Sequence, residues 1–186
     1  MSVKTYSRVK DGELRLSRDF QVKEFACKDG TDKVLIDTDL AAGLQKIREY
    51  FHKPVIINSA YRTAAHNKRV GGSANSQHLL GKAADIRIEG VSPLLVAQYA
   101  EYTGMGGIGL YGTFTHVDTR AGKARWDQRS GGQKAVSGFG GQGRFAAQSP
   151  DYIAVQRRYG FDGNTMAYLA AYTYGEALLH KLAAAK

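Results

Sequence analysis

Hydrophobic positions change their period several times along the chain, and each change marks an element. Leu40, Leu44, Ile47 and Phe51 recur at spacings of four, three and four, one face of a helix, and Asp37-Thr38-Asp39 supplies cap oxygens before it. The pattern predicts a helix over 38–51. Pro54-Val55-Ile56-Ile57-Asn58-Ser59 reads instead as a short buried strand, with Pro54 first, where its missing N–H is tolerated. Thr63 caps a short helix to Val70, and 71–76 is a flexible loop. Ala83-Ala84-Asp85-Ile86-Arg87-Ile88 is a second strand. Ser92-Pro93 starts a mostly apolar helix carrying Leu94, Leu95, Ala97, Ala100 and Tyr102. Residues 106–111 and 114–118 form two strands around Gly112-Thr113, a β-hairpin. These elements predict an α+β fold, a small antiparallel sheet flanked by helices.

The two ends read differently. Leu14, Leu16, Phe20, Val22 and Phe25 lie in an extended or loosely turned lead-in that bends at Asp29-Gly30. From Ser130 to Gly143 glycine dominates, a flexible linker placed at 130–148. Beyond it Ser149-Pro150-Asp151 starts a helix that Gly160 stops, and Asp162-Gly163-Asn164-Thr165 caps a second running through Met166, Leu169, Tyr172 and Leu178 to Leu182. The expected organisation is a main domain at 1–129, the linker, and a small helical module at 149–186.

Composition narrows the partners. Net charge is +9, which favours an anionic polymer: nucleic acid, a membrane surface or an anionic cell wall. No zinc-finger pattern or aromatic-and-basic nucleic-acid signature stands out, and no run of eighteen apolar residues suggests membrane insertion. Cys27 is the single cysteine, so an intrachain disulfide is excluded, and Phe25-Ala26-Cys27 reads as a small buried hydrophobe. Met1 to Arg8 does not lead into an apolar core of the kind a secretory leader needs. The expectation is a removed leader or another route out of the cytoplasm.

Candidate chemistry centres on His78, Asp85 and the distant His116. Two imidazoles and a carboxylate are the three protein ligands a catalytic zinc takes, leaving a fourth position for water. His78 falls in the loop that leads into the Asp85 strand, and Gly81 would let that loop turn back so that both side chains reach one point. On the 114–118 strand His116 and Asp118 face one side, Val117 the other.

Ser76-x-His78-x-x-Gly81-x-Ala83-x-Asp85, preceded by Ser59-Ala60-Tyr61-Arg62-Thr63 and followed by His116, resembles the zinc D-Ala-D-Ala carboxypeptidase family of peptidoglycan peptidases. That family shares its metal-site architecture with lysostaphin-type enzymes and the hedgehog signalling domain. The resemblance runs over roughly 14–127 and has four separated pieces in order. It implies that His78, Asp85 and His116 hold Zn²⁺, that Arg62 binds substrate and stabilises a developing oxyanion, and that peptidoglycan is the partner, with hydrolysis of D-amino-acid bonds. Tyr61, Ser76 and Gln77 are the further substrate-binding candidates. Together with the basic charge and the missing leader, the resemblance suggests a phage-type endolysin released by a holin, or a bacterial remodelling enzyme, with the C-terminal module a wall-binding appendage, a structural clamp or a dimerisation hairpin. One departure stands out. Better-known members carry an acid three places before the final histidine, where this chain has Thr113, which cannot take a proton as a carboxylate does. Asp118 is therefore either the base or the group that orients His116 through its other nitrogen. The competing expectation is a catalytically inactive, zinc-stabilised wall-binding protein.

Overall fold

A computed structural model describes residues 2–141, 145, 158–160 and 181–185. β1 (Val3–Ser7) and β2 (Lys33–Asp37) form a two-stranded antiparallel ribbon, with the one-turn α1 (Arg8–Asp11) between them. α2 (Thr38–Phe51) follows directly, capped by the Asp37 carboxylate, which accepts from the Asp39 N–H. Then come β3 (Val55–Ser59), α3 (Ala64–Arg69), β4 (Ala83–Ile88), α4 (Pro93–Tyr102), β5 (Gly107–Leu110), β6 (Thr115–Asp118), β7 (Ala124–Asp127) and the two-residue β8 (Lys134–Ala135). The helices at 38–51 and 93–102 and the strands through Ile57, Asp85 and His116 lie where the hydrophobic pattern puts them.

The sheet is larger than expected, and mixed. Its order is β3-β4-β6-β5-β7-β8, antiparallel throughout except that β7 runs parallel to β5. The chain makes the β5–β6 hairpin and then passes to the far side of β5, so a third strand in sequence becomes a parallel neighbour in space. Ala124-Arg125-Trp126-Asp127 is too short and too polar to announce itself as a strand.

Period two divides the sheet into two faces. Ala84, Ile86 and Ile88 of β4, Val117 of β6 and Ile108 and Leu110 of β5 join one core with Leu40, Leu44 and Ile47 of α2 and Val96, Ala97 and Ala100 of α4. Burial of the valine, leucine and isoleucine side chains among these contributes about 1.5–3 kcal/mol each. The alternate positions, Asp85, His116 and Asp118 among them, face away from the helices. The lead-in is more ordered than its sequence suggested: residues Val22–Phe25 make a 3₁₀ turn closed by Gln21 and Glu24, and Phe20 and Phe25 meet edge-on at 6.2 Å.

Fastening extends into the glycine-rich stretch. β8 pairs with β7, and the Val136 N–H donates to the Arg125 carbonyl at 3.1 Å. One carboxylate, Glu101 of α4, takes the N–H groups of Phe139 and Gly141 at 2.9 and 3.0 Å and the Arg125 guanidinium at 3.1 Å. A Cβ at Gly141 would collide with the Gln98 carbonyl, so glycine lets the backbone close on α4. Residues 134–141, within the stretch expected as a linker, are therefore tied to the body. The expected helical module at 149–186 lies outside the described residues apart from 158–160 and 181–185.

Thr63 gives a modest test of these local rules. Its hydroxyl oxygen accepts from the His66 N–H at 3.1 Å and its proton goes to Asp29 at 2.5 Å. Thr63→Ala should cost about 1 kcal/mol, read as a lower urea midpoint with unchanged slope.

Candidate metal centre

One row of residues crosses five strands. Ser59 of β3 pairs with Asp85 of β4, Asp85 with His116 of β6, His116 with Gly109 of β5, and Gly109 with Trp126 of β7. Neighbouring strands lie about 4.8 Å apart, so the row places a carboxylate, an imidazole and an indole side by side on the face away from the core. His78 joins from a 3₁₀ turn, Gln77–Leu80, just before β4. Ser76 caps that turn, its hydroxyl accepting from the His78 N–H at 3.3 Å. Gly81 ends the turn at φ +67°, where a side chain would be strained and would collide with the Leu35 backbone. That reversal aims His78 back over Asp85, as the position of Gly81 suggested.

The donors converge. Oδ1 of Asp85 lies 2.9 Å from Nδ1 of His116 and 3.3 Å from Nε2 of His78, and one ligand atom from each residue falls within 4.8 Å of the others. Exposure is 3% for His78 and 7% for each of the other two, so water competes little. The remaining nitrogens are spoken for. Nδ1 of His78 can only donate to the Ala60 carbonyl at 2.6 Å, which leaves Nε2 with its lone pair. Nε2 of His116 faces Asp118 Oδ2 at 3.1 Å, which leaves Nδ1 to Asp85. With both rings neutral, two imidazole lone pairs and a carboxylate oxygen aimed at one point repel, and a cation among them, whether a shared proton or a metal, relieves the repulsion. The donor set, nitrogen, nitrogen and oxygen, is one that zinc accepts.

Electrostatics agree. Burial opposes ionisation of Asp85, but hydrogen bonds from His116 and His78 outweigh it and hold the carboxyl well below its usual range. Burial likewise disfavours a charged His116, yet Asp118 and Asp85 raise its pKa. Asp118, itself fully buried, is kept ionised by His116 and Arg120 against its own desolvation. Arg120 grips Asp118 through Nε at 2.8 Å and Nη2 at 2.6 Å.

The structure places the other expected residues unevenly. Arg62 donates from Nη2 to Asp85 Oδ2 at 2.5 Å and from Nε to Ser59 at 2.8 Å, beside the donors. Ser76 and Gln77 line the same cleft, a space of about 860 Å³ floored by His78, Asp85 and His116. Tyr61 does not. It is 8% exposed and packs in the hydrophobic core, because β3 ends at Ser59 and the chain beyond it no longer alternates: the Tyr61 N–H goes to the Phe25 carbonyl and the Arg62 N–H to the His78 carbonyl, and Arg62 has the cleft side. Asp118 stands behind His116, outside the cleft lining, with both oxygens engaged by His116 and Arg120.

Sequence reading missed Arg120 and two glycines. A Cβ at Gly107 would collide with the Asp118 carboxylate, and one at Gly109 with the Trp126 indole. The alternation Gly107-x-Gly109, on the face that carries His116, was the available signal: a strand that omits side chains on one face makes room for something large.

The model of the family described as Peptidase M15 matches residues 17–118, more than half of the chain. The chain belongs to the peptidase M15 family. Among curated relatives, a probable peptidoglycan L,D-endopeptidase of Haemophilus influenzae is 44% identical over 66 residues, covering 32% of this chain and 36% of the relative. A zinc D-Ala-D-Ala carboxypeptidase of Streptomyces albus G is 33% identical over 77 residues, covering 40% of this chain and 30% of the relative. The chain thus spans about a third of the length of each relative. As a peptidase M15 member it carries the converging His78, Asp85 and His116 inside or at the edge of the matched region.

Proposed function

We propose that the chain is a zinc-dependent peptidase that hydrolyses a D-amino-acid-containing bond of the peptidoglycan stem peptide, with His78, Asp85 and His116 as the metal ligands. The observation that carries the reading is the convergence of those three donors on the floor of a cleft in a peptidase M15 member; the names of both relatives support peptidoglycan and one supports zinc. When bound, zinc supplies Lewis-acid polarisation of a carbonyl and activation of water. Asp118 fixes the tautomer and orientation of His116. Arg62, with N–H groups to spare beyond its bonds to Asp85 and Ser59, donates to the substrate carbonyl as negative charge develops. Ser76 and Gln77 hold the peptide on the adjoining wall.

Protonation competes with the metal at His116. Because Asp118 and Asp85 raise its pKa in the metal-free chain, the competing proton binds at higher pH than on free imidazole, about 6.5. Zinc affinity should be full well above that range and fall as pH drops through it. Zinc titrations between about pH 8 and pH 5 check this; an affinity that stays flat down to the lower limit would contradict it.

A second reading rests on one observation: among the described residues that line the cleft, Asp85 is the sole carboxylate, and Thr113 stands where an acid is expected. A zinc-stabilised wall-binding protein would look like this. Incubation of the zinc-loaded chain with a stem pentapeptide and with a cross-linked stem dimer, followed by mass spectrometry, separates the readings. Loss of the terminal residue marks a carboxypeptidase, cleavage of the dimer an endopeptidase, and two intact substrates that nonetheless bind mark the wall-binding protein.

A further inference from the structure

The cleft is polarised along its strands. At one end Tyr111 and Phe114 stack at 4.2 Å, following β5 and preceding β6. At the other end, past Asp118, come Arg120 and Lys123 in the short connection from β6 to β7; both line the cleft. His116 lies between the two ends on β6.

Arg120 spends only one edge on the protein. Its Nε and Nη2 hold Asp118, while among the described residues Nη1 has no partner, and the side chain is 34% exposed. Its guanidinium carbon lies 5.8 Å from the centre of the Trp126 ring, which fixes its plane. Lys123 is exposed and, among the described residues, pairs with no carboxylate. The neighbouring Arg125, by contrast, is neutralised by Glu101 at 3.1 Å. Two cations in one rim of a cleft, one held in a clamp and one exposed, fit a carboxylate: an open guanidinium edge gives directed donors, an ammonium adds charge.

We infer that Arg120 and Lys123 form a carboxylate subsite that selects peptides carrying a free acid on the β6–β7 side of the metal donors and discriminates against their amides. The inference rests on the peptidase reading and deepens it. It orients the substrate: the acid group lies toward Arg120 and Lys123, and the less polar part lies toward Tyr111 and Phe114.

Trp126 is the one tryptophan of the chain and lies against Arg120, so its fluorescence reports occupancy of the subsite whether or not the peptide is cut. The test uses rapid-mixing fluorescence titration of the zinc-loaded chain with a synthetic stem tetrapeptide whose carboxylates are free, and with the same peptide fully amidated. Wild type should bind the acid more tightly than the amide. Lys123→Gln should weaken the acid about five- to tenfold and leave the amide unchanged, the size of one ordinary net hydrogen bond. Lys123→Glu should invert the preference. Both variants should keep wild-type zinc content and thermal midpoint, since Lys123 is exposed. Equal weakening of both peptides, or no change in either, would overturn the subsite. Equal binding of acid and amide to a wild type that still hydrolyses them would overturn the subsite alone; a wild type that binds and cleaves neither would overturn the peptidase reading with it.

Discussion

Asp85→Ala is expected to abolish zinc binding and hydrolysis together and to destabilise the metal-free chain. Asp85 is the one residue that touches every other member of the centre: Oδ1 faces His116 and His78, and Oδ2 takes the Arg62 guanidinium. Zinc affinity should fall by more than the 10–100-fold that loss of an outer partner costs. Removing the carboxylate also leaves Arg62, whose side chain is 14% exposed, without its ion partner. Breaking such a pair on one side costs about 3–5 kcal/mol. Asp85→Asn separates the two effects, because it keeps the volume and a hydrogen-bonding oxygen but not the charge. Its denaturation midpoint should lie between those of alanine and wild type, while its zinc titration should remain as weak as that of alanine. A variant at 85 that binds zinc as wild type does would remove this residue from the ligand set.

Gly107→Ala, the addition of a single methyl group, should be nearly as damaging. The new Cβ would occupy the place of the Asp118 carboxylate, directly across the β5–β6 pair. Elsewhere a side chain would swing aside, but Asp118 is fully buried between His116 on one oxygen and Arg120 on both. Either β5 moves off β6 or the carboxylate leaves His116. Overpacking of a tight site costs about 1–3 kcal/mol, and loss of the orienting carboxylate lowers metal affinity about 10–100-fold. The distinctive expectation is that both appear in one variant, in calorimetry and in zinc titration. Asp118→Asn should reproduce the affinity loss without the overpacking.

Much of this was legible in the sequence because it follows from local rules. The period of Leu40, Leu44 and Ile47 fixes α2, and the alternation of Ala84, Ile86 and Ile88 with Asp85 fixes which face of β4 is wet. The turn at Gly81 follows from the freedom of glycine at positive φ. The rest was set by long-range pairing. β7 is a strand because β5 offers it an edge, and no pattern within Ala124-Arg125-Trp126-Asp127 declares that. Arg120 matters because Asp118 faces it, and residues 134–141 are fastened because Glu101 reaches them from α4. Tyr61 and Arg62 were adjacent candidates, and only the geometry at the end of β3 decides that Arg62 has the cleft and Tyr61 the core.

On the proposed reading, His78, Asp85 and His116 hold a metal on which hydrolysis of peptidoglycan depends. Its most direct test is digestion of purified peptidoglycan by the zinc-loaded chain beside a His78→Ala variant, with mass spectrometry of what is released. Fragments of defined mass that disappear with the variant are the predicted result, and their masses name the bond. Intact sacculi in both samples, with zinc bound to the wild type, would contradict it.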